Sequence, residues 1–332
     1  MRLLTGCRRA VVLALAVACG AGATQTGEKR AQRRAEVDRA LAQVAAGGGG
    51  TESAAARIVY LGEQEYANEV LIRALKTAFE DSQRRNLSFA LSLLAVRSAE
   101  GTLVKLTSDE DAVVRMYAVQ GLTRVKSRAA DTLVSLLSDA SMPVRREAAR
   151  ALGQMAQPKV SRPLLQAVKV EGEPEVRAVL LVAIGQSGDR AARPALEKFL
   201  TSSSESTRFA AARGLCLLGA PAGLQFARRL LASKDSYERR HGLELFEGAT
   251  ARGVGAELRP LLESPDRRLA AAAARILFQG GDRQMLDWMV VASHQARGDA
   301  KLAIETELEK LHLADSERKK VLLRNGIGAT RQ

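Results

Sequence analysis

The sequence predicts an all-α fold, a solenoid of about seven stacked helix pairs closed by a C-terminal helical cap. The first observation is an internal repeat: residues 141–153, SMPVRREAARALG, return in recognisable form as EPEVRAVLLVAIG at 173–185 and as SESTRFAAARGLC at 204–216. The second is composition, since 46% of the residues are hydrophobic but only 4% are aromatic. Small apolar residues suit closely packed helices, and helix pairs of this length must stack because one pair cannot bury its apolar face alone.

Each repeat can be aligned on an anchor position, usually an arginine. The anchors are separated by 30 to 32 residues and lie at Arg84, Arg115, Arg145, Arg177, Arg208, Arg239 and Leu269. Small residues occupy most positions three after the anchor, and Leu, Ile or Phe occupies the position seven after it. Because these positions share one face of a helix, the pattern predicts the buried stripe of the second helix in each pair.

The first helix of each pair is predicted from apolar residues twelve and nine places before the anchor, such as Leu133 and Leu136. Pro163 and Pro194 share one phase of the repeat, where proline favours the first turn of a helix. Glycine recurs eleven places after the anchor, where a helix end favours a left-handed residue. These glycines are Gly188, Gly219 and Gly280. The agreement of period, proline and glycine predicts one solenoid over residues 58–296.

Residues 297–332 depart from the repeat spacing and are predicted to form capping helices and a tail. The segments 300–311 and 316–325 have helical patterns, the second with Ser316 as its N-cap and Gly326 as its stop. Solenoids require a polar-faced cap because an open end exposes the core.

The N-terminus predicts an export signal over residues 1–18. Arg2, Arg8 and Arg9 precede a nine-residue apolar run at 10–18, which is too short to span a bilayer. Two cleavage points remain open. The sequence Ala-Val-Ala-Cys-Gly at 16–20 resembles the lipobox of bacterial lipoproteins and would make Cys19 the lipidated residue. An ordinary small-x-small site after Ala23 would instead give a secreted protein.

Residues 19–57 are predicted to be a flexible tether. The segment 28–46 has helix-forming composition, but Val37, Leu41 and Val44 form only a thin apolar stripe. Four glycines at 47–50 carry a large backbone entropy cost and break any helix. Such a tether would hold the solenoid away from a lipid anchor at the bacterial cell envelope, either in the periplasm or at the outer membrane.

The charge is basic, with 50 Lys and Arg against 37 Asp and Glu and a net charge of +13. A basic balance permits an anionic partner, and it is also typical of a solvated arginine-rich helical surface. Export disfavours nucleic acid, since an exported chain rarely meets the chromosome. The three cysteines also fit export without a disulfide framework, because only Cys216 lies outside the N-terminal region.

The repeat resembles the HEAT-like repeats of the short, phycobilin-lyase type over residues 82–286. The residues that carry the resemblance are Asp111, Val114, Arg115 and Ala118, then Pro143-Val144-Arg145 with Ala148, and Pro174-Glu175-Val176-Arg177. The resemblance implies a right-handed superhelix whose second helices line the concave face. It also implies a ladder between repeats, formed by the anchor arginines and the residues four places before them. Those residues are Asp111, Ser141, Glu173, Ser204 and Asp235.

No catalytic constellation is apparent, so we predict a non-catalytic scaffold with no cofactor and no metal. The three histidines, His241, His294 and His312, are far apart, and HExxH, CxxC, phosphate-loop and nucleophile-elbow motifs are absent from the sequence. The repeated His-Glu pairs with which HEAT-repeat deoxyhypusine hydroxylases hold iron are absent as well. The alternative is a lyase-type subunit or maturation factor that acts on a protein-bound ligand.

A partner surface is predicted along the second helices, at positions one, two and five after each anchor. These positions should point away from the buried stripe, and they include Glu147 and Ala210 among a mixture of aromatic, apolar and arginine residues. The candidate partner-binding residues are Tyr117, Arg146, Arg150, Phe209, Arg213, Arg240 and His241. Aromatic and arginine side chains anchor protein interfaces, so the expected partner is a protein or peptide, with acidic character as one option. The alternative is that these are ordinary solvated residues.

Overall fold

The computed structural model describes residues 27–46, 50–94 and 96–327. In these ranges the chain forms nineteen α-helices, joined by turns and short 3-10 segments, and no strand. The predicted all-α class is confirmed. The chain divides into two compact units between Met155 and Ala156. The predicted signal peptide at 1–18 and Cys19 lie outside the described residues.

The first unit contains eight helices. They are α1 (Gly27–Ala45), α2 (Thr51–Leu61), α3 (Gln64–Thr77), α4 (Asp81–Leu94), α5 (Glu100–Leu106), α6 (Ala112–Arg124), α7 (Ala130–Ser135) and α8 (Met142–Gln154). The second helices of successive repeats pack side by side, α4 on α6 and α6 on α8. The first helices α5 and α7 each pack against the second helix that follows them.

The second unit contains eleven helices. They are α9 (Ser161–Val170), α10 (Pro174–Gln186), α11 (Arg193–Glu197), α12 (Glu205–Leu217), α13 (Pro221–Leu231), α14 (Ser236–Glu244), α15 (Ala251–Leu258), α16 (Arg267–Gln279), α17 (Gln284–Gln295), α18 (Gly298–Glu309) and α19 (Asp315–Arg324). Within this unit α10 packs on α12, and α14 on α16. The repeated pattern of helix pairs is the same in both units.

The buried stripe of the second helices follows the predicted positions. The residues seven after the anchors are at most 2% exposed. They are Leu122, Leu152, Ile184, Leu215, Phe246 and Ile276. Small residues three places after the anchor, such as Ala118, Ala148 and Ala211, are fully buried where neighbouring helices meet. The core of each repeat is therefore set by the residues that carry the repeat signature.

In α6, α12 and α14 the side chain of the residue four places before the anchor caps its own helix. Asp111 accepts hydrogen bonds from the backbone N–H groups of Val113 and Val114, at 2.7 and 3.3 Å. Asp235 accepts one from the N–H of Tyr237 at 2.8 Å, and Ser204 accepts one from Thr207 at 3.3 Å. N-cap side chains satisfy donors that the first helical turn leaves free. These residues were expected to form a ladder between repeats. Asp111 does make such a contact, since its carboxylate also accepts a hydrogen bond from Arg85 Nε of the preceding repeat at 2.6 Å, although Arg85 is the residue after the anchor Arg84.

The anchor arginines stabilise the turn that precedes their helix. Arg115 Nη1 donates to the carbonyl oxygens of Asp109 and Glu110, at 2.8 and 2.9 Å. Arg208 and Arg239 repeat this geometry on the carbonyls six and five positions before them. Some anchors also pair with a carboxylate of the next repeat, as Arg115 Nε does with Asp139 at 2.8 Å. The repeated arginine is thus a structural residue.

The position of the last anchor is off by one in the sequence alignment. Helix α16 has Asp266 as its N-cap, so the fourth residue after the cap is Ala270 and not Leu269. The shift explains why Ala273 and Leu277 are fully buried in this repeat. The left-handed glycine at its end is likewise Gly281, with φ of 106°, whereas Gly280 has φ of −74°.

The first helix corrects the predicted tether in the described residues 27–46 and 50–57. Helix α1 packs on α2, α3 and α4. Its thin stripe is buried, with Val37 0%, Leu41 4% and Val44 1% exposed. The polar flank of α1 is also bonded, since Arg33 Nη1 donates to the Leu61 carbonyl at 3.1 Å and Arg57 Nη2 to Glu36 Oε2 at 2.8 Å. A thin stripe suffices because α1 covers only the end of the first helix pair.

Leu41→Ala is expected to lower the free energy of unfolding by about 2 kcal/mol, at the low end for a buried leucine because α1 packs on one side only. The exposed neighbour Arg39→Ala is the matched control and should change stability by less than about 0.5 kcal/mol. Urea unfolding followed by circular dichroism measures both. Equal stability of the two variants would show that α1 is not part of the folded core.

The C-terminal helices pack as predicted, with one correction. Helix α18 packs on α16 and α17, and α19 packs on α17. Helix α19 begins at Asp315 with Ala314 at the N-cap position, so Ser316 is not the cap. Gly326 ends the helix with a left-handed φ of 73°. In the described part of the chain, no helix is both long enough and apolar enough to cross a membrane.

Candidate partner-binding surface

The predicted site residues fall into two groups, one in each unit. Tyr117 lies on α6, and Arg146 and Arg150 lie on α8, all in the first unit. Phe209, Arg213, Arg240 and His241 lie on α12 and α14 of the second unit.

In the first unit the side chains contact neighbours on the same surface. The half-buried Tyr117 ring lies 4.8 Å from the Phe89 ring, centroid to centroid. Arg150 Nη1 pairs with Glu147 Oε1 at 2.6 Å. Glu147 is only 8% exposed, and Ala210 in the other unit only 4%. The expectation that both point away from the core is therefore wrong, because neighbouring side chains cover these two positions.

In the second unit an aromatic cluster forms between α12 and α14. The ring centroids of Phe209 and His241 are 5.4 Å apart in an edge-to-face arrangement. His241 and Tyr237 are 4.1 Å apart, and the Arg240 guanidinium lies 5.4 Å from the Tyr237 centroid. Tyr237 is 55% exposed, so the cluster reaches the surface. Structure thus brings together Phe209, Arg240 and His241 of the predicted set.

The cluster borders a surface hollow of about 150 Å³, which we call the aromatic hollow. It is lined by Glu205, Arg208, Phe209, Phe226, Leu230, Tyr237, Glu238 and His241. Helix α13 contributes Phe226 and Leu230, which are one turn apart and so share a face. Helix α14 contributes Tyr237 and His241 by the same spacing, starting from its Asp235 cap. The chain thereby places side chains from three helices around one opening.

Tyr237, Phe226 and the two glutamates were missed from the sequence. The search used only three positions per second helix, and Tyr237 precedes its anchor while Phe226 lies on a first helix. The sequence did contain a hint, since Phe226 and Leu230, and likewise Tyr237 and His241, are four residues apart and so share one face of a helix. Which helix faces they share depends on how α13 packs on α12 and α14, and that requires the structure.

Arg213 is part of a structural ion-pair chain. Its Nη2 lies 3.8 Å from Glu247 Oε2, and Arg275 Nη2 lies 3.0 Å from Glu247 Oε1. Arg275 is 8% exposed and also pairs with Glu307 at 2.6 Å. A buried arginine of this kind links the turn after α14 to α16 and α18. The guanidinium of Arg213 therefore faces a carboxylate that also helps to hold the helices together.

The pKa shifts of Cys216 and Asp139, outside the aromatic hollow, indicate structural roles for these two residues. Burial raises the pKa of Cys216 to about 12, and the nearby Glu257 adds to the shift. Such a thiol stays protonated and unreactive at neutral pH. Burial alone would raise the pKa of Asp139, but the hydrogen bonds from Arg115 and the Ser141 N–H outweigh it and leave that pKa below its usual value. Among the described residues, no group of three or more His, Cys, Asp and Glu could hold a metal ion.

A second hollow of about 120 Å³ lies in the C-terminal helices. Its polar groups include Ser293, His294, Lys301, Glu305 and Arg318. Arg318 Nη1 donates to Glu305 Oε2 at 2.9 Å, and Ser293 Oγ donates to the other carboxylate oxygen. The hydrogen-bonding groups of Arg318, Glu305 and Ser293 are therefore paired with one another within the C-terminal helices.

The helix pairs with their repeated caps and anchors define a repeat solenoid. The family model for HEAT repeats matches residues 99–179 and 161–245. Residues 99–245 therefore consist of HEAT repeats, and the predicted resemblance to HEAT-like repeats is confirmed there. No curated protein matches the chain.

Solved structures share the fold at low identity. The complex of CpcE and CpcF of phycocyanin lyase from Nostoc is 20% identical, with a TM-score of 0.51, and the match covers 74% of this chain and 94% of that one. An engineered protein is 21% identical with a TM-score of 0.42, covering 95% and 92% of the two chains. Human deoxyhypusine hydroxylase is 16% identical with a TM-score of 0.33, covering 74% and 96%. At these identities the first similarity supports the fold alone.

Proposed function

We propose that the chain is a non-catalytic HEAT-repeat scaffold that binds a protein or peptide partner at the bacterial cell envelope. The observation that carries the proposal is the aromatic hollow, where Phe209, Phe226, Tyr237 and His241 surround an opening at the surface. Rigid aromatic side chains offer contact area at low entropic cost, and exposed clusters of them mark interaction sites. The hollow lies on helices rather than loops, so its geometry is preorganised.

The alternative is a subunit of a lyase or a maturation factor that acts on a protein-bound ligand. The shared fold with the phycocyanin lyase complex is compatible with it. That function needs titratable groups that converge on a ligand, and Glu205, Glu238 and His241 do line the aromatic hollow. Both carboxylates are exposed, however, and the rings that contact His241 are those of Phe209 and Tyr237. The aromatic hollow therefore favours partner binding as the primary role.

Partner capture is expected to be lost when Tyr117, Arg150, Phe209 and Arg213 are all replaced by Ala. These residues belong to the predicted surface, and none is fully buried, so the helical signal should persist. The measurement is recovery of proteins from envelope extract by the immobilised chain, identified by mass spectrometry. A matched control replaces four exposed residues of first helices: Arg162, Lys169, Val170 and Arg229.

The quadruple variant must be compared with the control at equal folded fraction, checked by circular dichroism and melting temperature. Loss of partner capture in the quadruple variant, with capture retained in the control variant, would support the proposed scaffold function. Capture that survives the quadruple change would place the binding surface elsewhere.

For the location, we expect Cys19 to be lipidated, since it follows the apolar run in the sequence Ala-Val-Ala-Cys. Metabolic labelling with a fatty acid should mark the wild-type chain and leave Cys19→Ala unlabelled. Cys7→Ala is the matched control, because Cys7 lies within the predicted signal. Equal labelling of Cys19→Ala and wild type would contradict the lipid anchor.

A further inference from the structure

The aromatic hollow contains two carboxylates without partners. Glu205 and Glu238 are both exposed and both line the hollow. In residues 27–46, 50–94 and 96–327, neither carboxylate has a hydrogen bond or an ion pair. They lie in the first turns of α12 and α14. The hollow therefore presents two negative charges next to aromatic rings.

The nearby arginines do not neutralise these carboxylates. Arg208 Nη1 donates to the carbonyl oxygens of Ser202 and Ser203 at 2.8 and 3.0 Å, so its guanidinium is held at the turn before α12. Arg240 lies over the Tyr237 ring, 5.4 Å from the centroid. Arg213, the other arginine of the predicted set on these helices, faces Glu247. The lining thus carries the two carboxylates of Glu205 and Glu238 against the one guanidinium of Arg208, so its charge is opposite in sign to the net charge of the whole chain.

This combination of groups fits a cation. Aromatic faces carry negative electrostatic potential and attract ammonium and guanidinium groups within about 6 Å of the ring. Carboxylates form strong, often bidentate hydrogen bonds with a guanidinium. The aliphatic stem of Lys or Arg packs on apolar side chains while its charged end stays near water. Here Phe226 and Leu230 supply the apolar wall, and Glu205 and Glu238 supply the acceptors.

We propose that the aromatic hollow binds a basic side chain of the partner, with arginine preferred over lysine. A planar guanidinium can stack flat on an aromatic ring and bond a carboxylate through two N–H groups, whereas an ammonium group is more strongly hydrated and has no flat face to stack. The inference rests on the proposed function and specifies its partner, because it requires an exposed basic residue in the bound segment. The inferred ligand is basic, whereas the arginine-rich sequence favoured an acidic partner.

The test uses the histidine ring protons of the full chain as reporters in NMR. The sequence has three histidines, so three Hε1 signals are expected, assigned by single His→Gln substitutions. The probes are acetylated, amidated tripeptides Gly-X-Gly, in which X is arginine, citrulline or glutamate. Citrulline has nearly the shape of arginine without its charge. Titration at about 0.15 M salt screens the net charge of the chain beyond roughly 8 Å.

The arginine peptide is expected to shift the His241 signal and to leave those of His294 and His312 unchanged. Citrulline should bind about tenfold more weakly, because it loses the cation–π and charge-assisted contacts. The variant Glu205→Gln/Glu238→Gln should weaken arginine binding by a similar factor. The matched control Glu263→Gln/Glu309→Gln changes the same net charge at exposed sites and should bind as the wild type does.

Equal binding of arginine and citrulline would overturn the inference, as would stronger binding of the glutamate peptide. No His241 shift with any peptide, together with partner capture that the quadruple variant abolishes, would reject the basic ligand and leave the scaffold function standing. Charge-dependent arginine binding, together with capture that survives the quadruple variant, would support the basic-ligand site and show that the captured partner binds at another surface.

Discussion

Leu152→Ala and Ile184→Ala are each expected to lower the free energy of unfolding by about 2–5 kcal/mol. Both side chains are 0% exposed, at the position seven after an anchor on α8 and α10. Truncation removes their apolar contacts and leaves a cavity that tightly packed helices cannot fill. Leu152 lies in the first unit and Ile184 in the second, so the pair tests each unit separately.

The damage should be local, because a repeat in a solenoid contacts only its neighbours. Hydrogen exchange measured by mass spectrometry should show lost protection first in the mutated repeat and those adjacent to it. Val170→Ala is the control, since Val170 is 85% exposed and its truncation should cost less than about 0.5 kcal/mol. A uniform loss of protection along the chain would contradict this expectation.

The repeat architecture was predictable because the same residues that carry the periodic signal also form the core. Leu122, Leu152 and Leu215 recur at one phase and are all buried. The residues before the anchors were also recognised as special, but their capping role was not. Asp111 and Ser204 cap their own helices, a local role that a spacing of four positions permits as readily as a contact between repeats.

Helix α1 could not be recognised by the same reasoning. Its apolar stripe is thin, and it lies outside the repeat, so no periodic comparison supports it. Val37 and Leu41 are buried because α2, α3 and α4 happen to present a complementary face. Ion pairs such as Arg34 with Glu63, 3.5 Å apart, were equally invisible in the sequence. Such contacts depend on tertiary packing rather than on local pattern.

The candidate site was predictable in part. Phe209, Arg240 and His241 were selected because second helices present one outer face, and the structure places them in one cluster. The expectation of an acidic partner rested on the arginines. In this fold the recurrent arginine holds a turn, as Arg208 and Arg239 do, and Arg150 and Arg213 face carboxylates. Arginine content therefore says little about the partner until intramolecular pairing is known.

The glycine crossing between α10 and α12 should be the most sensitive helix contact to small substitutions. A Cβ on Gly185 would lie 2.4 Å from Gly214 Cα, and a Cβ on Gly214 would lie 2.7 Å from the Leu181 carbonyl oxygen. Both obstacles are backbone atoms, which cannot rotate away as a side chain can. Gly185→Ala and Gly214→Ala should therefore each cost about 1–3 kcal/mol, although alanine favours a helix.

A matched control exists at Gly101 in α5, where a Cβ would meet no atom within 4 Å. Gly101→Ala should stabilise the protein by about 0.5–1 kcal/mol, because alanine loses less backbone entropy in a helix. Chemical unfolding curves for the three variants give the comparison. A loss of stability in Gly101→Ala equal to that in Gly185→Ala would show that helix packing does not decide the effect.

The double variant Gly185→Ala/Gly214→Ala provides the strictest test of the crossing. Once the first Cβ has forced α10 and α12 apart, part of the cost of the second has already been incurred, so the two losses should sum to more than the loss in the double variant. Residues without a shared contact give additive losses to within about 0.5 kcal/mol. Additivity of Gly185→Ala and Gly214→Ala in a double-mutant cycle would therefore contradict a shared helix contact. A total below the sum would identify the close approach of these two helices as the feature that requires glycine.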